Sequence, residues 1–157
     1  MGAAKYFEDF QIGEEMVSRS RVIDPSDIRM FSACTSLCNR IQTDADYCKE
    51  IPGVGKPVVA GSHLLNLIDA FYAQVVSPDG IPTFHYGYDN VEFRENVYSG
   101  DTVHTIFQLI DKTEKNEAFG VLTFEVKTYN QRGEVVVYDI DKLYCGRRPK
   151  EDGKTDS

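Results

Sequence analysis

One segment limits the folds open to this chain more than any other. From Ser62 to Val76, Leu64, Ile68, Phe71 and Val75 recur at spacings of four, three and four, while Leu65, Leu67 and Tyr72 widen the apolar stripe. That is the period of an α-helix, and the breadth of the stripe predicts a helix buried on most of its circumference. Pro78-Asp79-Gly80 breaks it. Beyond that point the pattern changes to alternation: Phe84, Tyr86 and Tyr88, then Val103, Thr105, Phe107 and Leu109. Phe119 to Asn130 and Glu134 to Cys145 flank Asn130-Gln131-Arg132-Gly133, which predicts a hairpin turn.

Upstream, Met16 to Ile23 reads as a first strand. Asp24-Pro25 follows as a helix start, with Asp24 capping and Pro25 in the first helical position. Ile28, Phe31 and Cys34 give that helix one apolar face, and Thr43 to Glu50 is a second short helix capped by Thr43. The fold class is therefore α+β. An antiparallel sheet wrapped around the long central helix buries both the helical stripe and the inner sheet face, which is the hot-dog fold. A length of 157 residues suits one domain, residues 1–148, with a polar C-terminal tail at 149–157.

A formal net charge of −8 argues against nucleic-acid binding, which needs a basic footprint, and against docking on an anionic membrane. No stretch approaches the ~20 apolar residues of a membrane span, and the first ten residues do not read as an export signal. The expected location is cytoplasmic, with Cys34, Cys38, Cys48 and Cys145 as free thiols. His63, His85 and His104 lie far apart in sequence, and Cys34-x-x-x-Cys38 has no second pair, so neither metal nor cofactor is expected. His85 and His104 read as surface or cross-strand residues. Gly53-Val54-Gly55-Lys56 is not a phosphate loop, because Glu50 holds the first-glycine position and Pro57 replaces the hydroxyl residue.

Several segments, in order, resemble the MaoC-like (R)-specific enoyl-CoA hydratases and dehydratases. They are Tyr6-Phe7-Glu8-Asp9-Phe10-Gln11-Ile12-Gly13-Glu14, the stretch from Asn39 to Tyr47, Val58-Val59-Ala60-Gly61, Tyr88-Asp89-Asn90-Val91-Glu92-Phe93, Val97-Tyr98-Ser99-Gly100-Asp101-Thr102, and Asn130 to Val136. The resemblance runs from about Tyr6 to Arg148. It implies an acyl-CoA or related thioester as ligand, and a homodimer or higher even oligomer that covers the sheet's edge strands.

At the active-site segment this chain departs from the family. An aspartate two residues before Asn39 and a histidine three residues after it are replaced by Leu37 and Gln42. The preceding glycine is Ser36 and the proline is Arg40. Hydration of an enoyl thioester needs one group to take a proton from water and one to return a proton to carbon. Leu37 cannot titrate, and Gln42 can orient a water without accepting its proton. The expected ligand contacts are Asn39, Gly61 and Ser62, with the N–H groups at the helix start facing a carbonyl oxygen. Ser62 also reads as the helix cap. His63 is a candidate replacement base and otherwise a partly buried structural histidine. Arg94, Lys56, Arg147 and Arg148 are the basic residues considered for the phosphates of coenzyme A. The principal reading is a thioester-binding hot-dog protein lacking the usual acid–base pair. The alternatives are an active hydratase/dehydratase variant using His63 or other groups, such as Gln42 with water, or a thioesterase.

Overall fold

The computed structural model describes residues 5–76 and 80–150. Pro78 and Asp79, expected to break the central helix, lie outside the described residues, as does all of the tail beyond Lys150. After a short 3-10 turn at Phe7–Asp9 come strands β1 (Glu15–Val17) and β2 (Arg21–Val22). Helices α1 (Pro25–Thr35), α2 (Arg40–Thr43), α3 (Ala45–Lys49) and α4 (Gly61–Val75) follow. Four long strands finish the chain: β3 (Thr83–Phe93), β4 (Thr102–Glu114), β5 (Phe119–Tyr129) and β6 (Val135–Gly146). They form an antiparallel sheet in the order β1-β4-β5-β6-β3, with β2 also paired to β4. The sheet wraps around α4, so the hot-dog α+β architecture is the one observed.

The expected strand at Met16 to Ile23 is two pieces. Ser18 is buried between them, its N–H donating to Thr105 O at 2.9 Å and its Oγ accepting from Thr105 N at 2.9 Å. A side chain thus takes one place in the ladder, and the backbone resumes pairing only at Arg21. Asp24 caps α1 as expected, accepting from Ser26 N, with Pro25 in the first turn. Thr43 does not cap a second helix; α2 ends there, and Asp44 caps α3 by accepting from Tyr47 N at 2.9 Å.

On α4, Leu64, Leu67, Ile68, Phe71 and Tyr72 are buried against Phe107, Leu109, Leu122, Phe124 and Val126 of the sheet. Tyr72 packs its ring 4.2 Å from Phe107 and 5.6 Å from Phe124, centroid to centroid. The helix is not buried on most of its circumference. Ser62, Asn66, Asp69, Ala70 and Ala73 form an exposed stripe, because the sheet curls around one side only. Among the described residues no helix is long and apolar enough to cross a membrane.

Candidate functional site

The segment from Leu37 to Gln42 leaves α1 through Ser36, whose φ of 60° turns the chain sharply. Leu37 is half-buried, and its N–H reaches Thr35 Oγ1 at 3.3 Å. Asn39 is exposed, and its carbonyl accepts from Gln42 N at 2.9 Å and Thr43 Oγ1 at 3.1 Å, which starts α2. Arg40 grips Asp44 Oδ2 through Nε (3.0 Å) and Nη2 (2.9 Å) and lies over the Tyr47 ring. Arg40 therefore ties α2 to α3. Gln42 is half-buried, and its Oε1 is wholly buried without a hydrogen-bond partner.

The helix start is built by Val58 and Val59, which reach Tyr98 and Val97; Val59 N donates to Val97 O at 2.7 Å. Ala60, not Ser62, is the N-cap, and no side chain caps the helix. The strand-like entry runs one residue further back than expected, so Ser62 falls inside the first turn, where its carbonyl accepts from Asn66 Nδ2. Ala60 O takes the N–H groups of His63 and Leu64. The Gly61 and Ser62 N–H groups precede any helical acceptor. The Phe93 ring lies so close to Gly61 that an added Cβ would stand 2.7 Å from its Cζ. His63 is buried and stacked on Phe31 at 4.5 Å with rings 3° from parallel. Burial lowers its pKa, so the imidazole is neutral around pH 7.

Beside Gln42 opens a cleft of about 580 Å³, lined among others by Ile28, Arg29, Ser32, Gln42, Lys56 and Ser99. Leu37, Asn39, Gly61, Ser62 and His63 are not among its lining residues, and neither is any Asp, Glu or His. Lys56 lies over the Tyr98 ring. The other basic candidates are engaged elsewhere: Arg94 with Glu92, Arg147 with Glu8 and Glu114, Arg148 with Asp9. The cleft can hold an anion at its cationic wall, but its lining offers no carboxylate or imidazole to move a proton.

A second polar centre lies under α4 and was missed from sequence. His85 is not a surface residue or a simple cross-strand partner: its Nδ1 meets Asp69 Oδ1 at 3.1 Å, and its Nε2 lies 2.6 Å from Asp141 Oδ1. Asp139 and Asp141 of β6 are fully buried, and neither carboxylate makes a hydrogen bond of normal geometry. Asp141, then Asp69, push the His85 pKa up to about 10 against the opposing effect of burial. Burial first, and then the neighbouring Asp141 charge, lift Asp139 to about 8. The Tyr72 hydroxyl is buried without a partner and lies beside Asp141, and the Tyr88 ring is 4.3 Å from that of His85. His104, by contrast, stacks on Tyr129 directly across the β4–β5 pair.

Comparisons with known proteins agree with this architecture. The chain is similar over 93% of its length, and 97% of the other's, to an X-ray structure described as a monoamine oxidase regulatory protein from Archaeoglobus fulgidus, at 27% identity and TM-score 0.84. It is similar to a MaoC-like dehydratase from Rhodospirillum rubrum at 20% identity and TM-score 0.80, over 93% of this chain and 99% of that one. The (R)-hydratase PhaJ1 from Pseudomonas aeruginosa gives 20% identity and TM-score 0.75, over 92% and 88%. No curated protein sequence matches. The profile of the MaoC like domain matches residues 9–130, well over half of the chain, and the protein belongs to that family.

Proposed function

We propose that this MaoC-like protein binds an acyl-CoA-type thioester in the cleft beside Gln42 and lacks the acid–base pair for ordinary enoyl-CoA hydration. The observation that carries this reading is the cleft's lining: Arg29 and Lys56 supply positive charge, with no Asp, Glu or His among the lining residues. A phosphate-bearing ligand gains charge-assisted hydrogen bonds from the two cations. Without a group to take the proton from water, the rate contribution of general acid–base catalysis, on the order of 10²–10⁴, is forgone. The likeness to an (R)-hydratase structure supports the ligand class.

The test is a thermal-shift and calorimetric titration with short and long acyl-CoAs, followed by a hydration assay with crotonyl-CoA. Binding without turnover, weakened about tenfold or more by Lys56→Ala, is the expected result. Turnover at about 1–10³ s⁻¹ refutes the reading. If that turnover disappears in His63→Gln, the alternative takes its place: His63, neutral because burial lowers its pKa, serves as the base.

The same proposal includes an even oligomer. Among the described residues β3 ends the sheet with one side unpaired, and Phe84, Tyr86 and Phe93 along it are about half-exposed. Pairing two such edges closes the open ladder. Light scattering that shows a stable monomer at micromolar concentration argues against it.

A further inference from the structure

Two carboxylates in the core share one neighbour able to carry positive charge. Asp139 and Asp141 stand two residues apart on the inner side of β6, both fully buried. Beside them β5 offers Val126 and Phe124, and β3 offers Val91 and Tyr88. α4 adds Asp69 and Tyr72, β4 adds Phe107 and Leu109, and β3 adds His85. Among these residues His85 is the only basic side chain. We infer that Asp139, Asp141 and His85 form a proton-dependent latch, which holds β3 against α4 and β6 while Asp139 is a neutral carboxylic acid and frees part of that strand when the proton leaves in mildly alkaline solution. The latch goes beyond the thioester reading and uses none of the cleft's residues.

His85 joins three elements. Its Nδ1 meets Asp69 Oδ1 of α4 at 3.1 Å, and its Nε2 meets Asp141 Oδ1 of β6 at 2.6 Å. With a carboxylate at each nitrogen the ring is an imidazolium that donates twice, held charged to about pH 10 by Asp141 and then Asp69. That single positive charge is engaged by Asp69 and Asp141. Asp139 has no hydrogen-bond partner on either oxygen. An ionised carboxylate in such surroundings is costly enough that it takes up a proton instead, and the Asp141 charge two residues away adds to the cost. Asp139 accordingly keeps its proton to about pH 8, through burial first and Asp141 second.

The strand that can yield is β3. β6 is flanked by β5 and β3, whereas β3 pairs on one side alone among the described residues. Its ladder with β6 breaks between His85 and Gly87 and again between Tyr88 and Asn90, on either side of the Tyr88–Asp141 pair. Opening this stretch brings water to the two carboxylates while β4 and β5 stay paired. A carboxyl that keeps its proton to about pH 8 in the closed strand, and to about pH 4 once water reaches it, makes opening about tenfold easier at pH 9 than at pH 7. His85, charged when closed and with a pKa near 6.5 once released, shifts opening in the same direction. The proton has a way out through His85 and Asp69, which are partly exposed and border a cavity of about 540 Å³.

The test is backbone hydrogen exchange of the full chain at pH 7 and pH 9, corrected for intrinsic rates, together with infrared spectra at the same two values. Amides from His85 to Val91 should lose about tenfold or more of their protection between pH 7 and pH 9, while the β4–β5 ladder, the internal reference, loses much less. The infrared spectrum should carry the carbonyl band of a protonated carboxyl at pH 7, and that band should be missing at pH 9 and from Asp139→Asn. Asp139→Asn, whose amide imitates the neutral acid, should remove about tenfold of the pH dependence. His85→Gln should lower β3 protection already at pH 7. The latch is overturned by a folded parent without the protonated-carboxyl band at pH 7, by β3 protection that follows β4–β5 from pH 7 to pH 9, or by a fall in protection undiminished in folded Asp139→Asn. The infrared measurement on the parent needs no variant and decides the matter if Asp139→Asn does not fold. None of these readouts depends on acyl-CoA binding.

Discussion

The same small change at two glycines should have very unequal consequences. At Gly120 of β5 an added Cβ would lie within 2.6 Å of three atoms of the Phe7 ring; at Gly61 it would meet the Phe93 ring at 2.7–2.9 Å. The φ of neither residue is positive, so alanine fits both backbones. What differs is the ring that is struck. Phe7 is 4% exposed, part of the core, and held beneath Lys112 and Arg147, whereas Phe93 is 52% exposed and free to swing outward. An overlap of about 1 Å in a packed core costs about 1–3 kcal/mol. Replacing glycine by alanine returns about 0.4–1 kcal/mol through the unfolded chain. Gly120→Ala should thus lose about 1–2 kcal/mol net, which at this chain length lowers the melting temperature by about 2–8 °C. Gly61→Ala should stay within about 2 °C of the parent. Urea unfolding followed by circular dichroism, with the midpoint and slope fitted separately, measures both. If Gly120→Ala is as stable as the parent, Phe7 is not docked on β5 as described; if Gly61→Ala is the damaged variant, the reasoning from ring exposure fails.

Three further outcomes follow from individual side chains. Burial depresses the His63 pKa, so at that residue the unfolded chain binds more protons below about pH 6.5 and the His63 contribution to stability falls as pH drops from 7 to 5, opposite in sign to that of Asp139, where the folded chain holds the extra proton; relative to the parent, His63→Phe should gain stability from pH 7 to pH 5 in paired urea titrations. Burial disfavours a charged Asp101, yet hydrogen bonds from Gln131 and Tyr98 N, with Arg132 and Lys56 nearby, leave its pKa below the usual carboxylate range. Its stabilisation is present above about pH 4 and lost as pH falls through the lowered value, so Asp101→Asn should cost about 1–2 kcal/mol at pH 7 and progressively less as pH falls below about 4. Leu37→Asp with Gln42→His should create measurable crotonyl-CoA hydration where either change alone does little, at a stability cost of about 1–3 kcal/mol for the introduced carboxylate. A folded double variant that binds acyl-CoA and stays inactive would show that Arg40, gripping Asp44, has moved the segment as well.

Where local chemistry and long-range packing agreed, the fold was legible from sequence. The β5–β6 hairpin is an example: Asn130 Oδ1 accepts from Arg132 N and Glu134 N, Gly133 takes a φ of 77°, and two alternating runs leave the turn. Asp24 before Pro25 set the start of α1 in the same way. The cleft was less legible. Nothing local in the sequence tells that Lys56 lies over Tyr98 and faces the cleft while Arg147 and Arg148 are drawn to Glu8 and Asp9, since those partners are more than a hundred residues away.

The buried acidic centre was hidden for a stricter reason. Along β6 the even positions Val136, Tyr138, Ile140 and Tyr144 look like the inward set, because the odd positions include Asp139 and Asp141. The odd positions nevertheless face α4. Directly opposite residues in an antiparallel pair share a face, and the register sets Leu122 against Leu143, Phe124 against Asp141 and Val126 against Asp139. Leu122, Phe124 and Val126 are fully buried beneath the helix, and shifting β6 by one residue would expose Leu143 and Cys145 together with the two aspartates. β3 adds a second concealment. Its register breaks between His85 and Gly87, so Phe84 and Tyr86 point outward while His85 and Tyr88, three residues apart, point inward together, which strict alternation forbids. Two carboxylates held inside by their neighbours' packing, and an imidazole turned toward them by a bulge, are a local violation of the rules that shaped the rest of the sheet. Such violations persist where a site repays them.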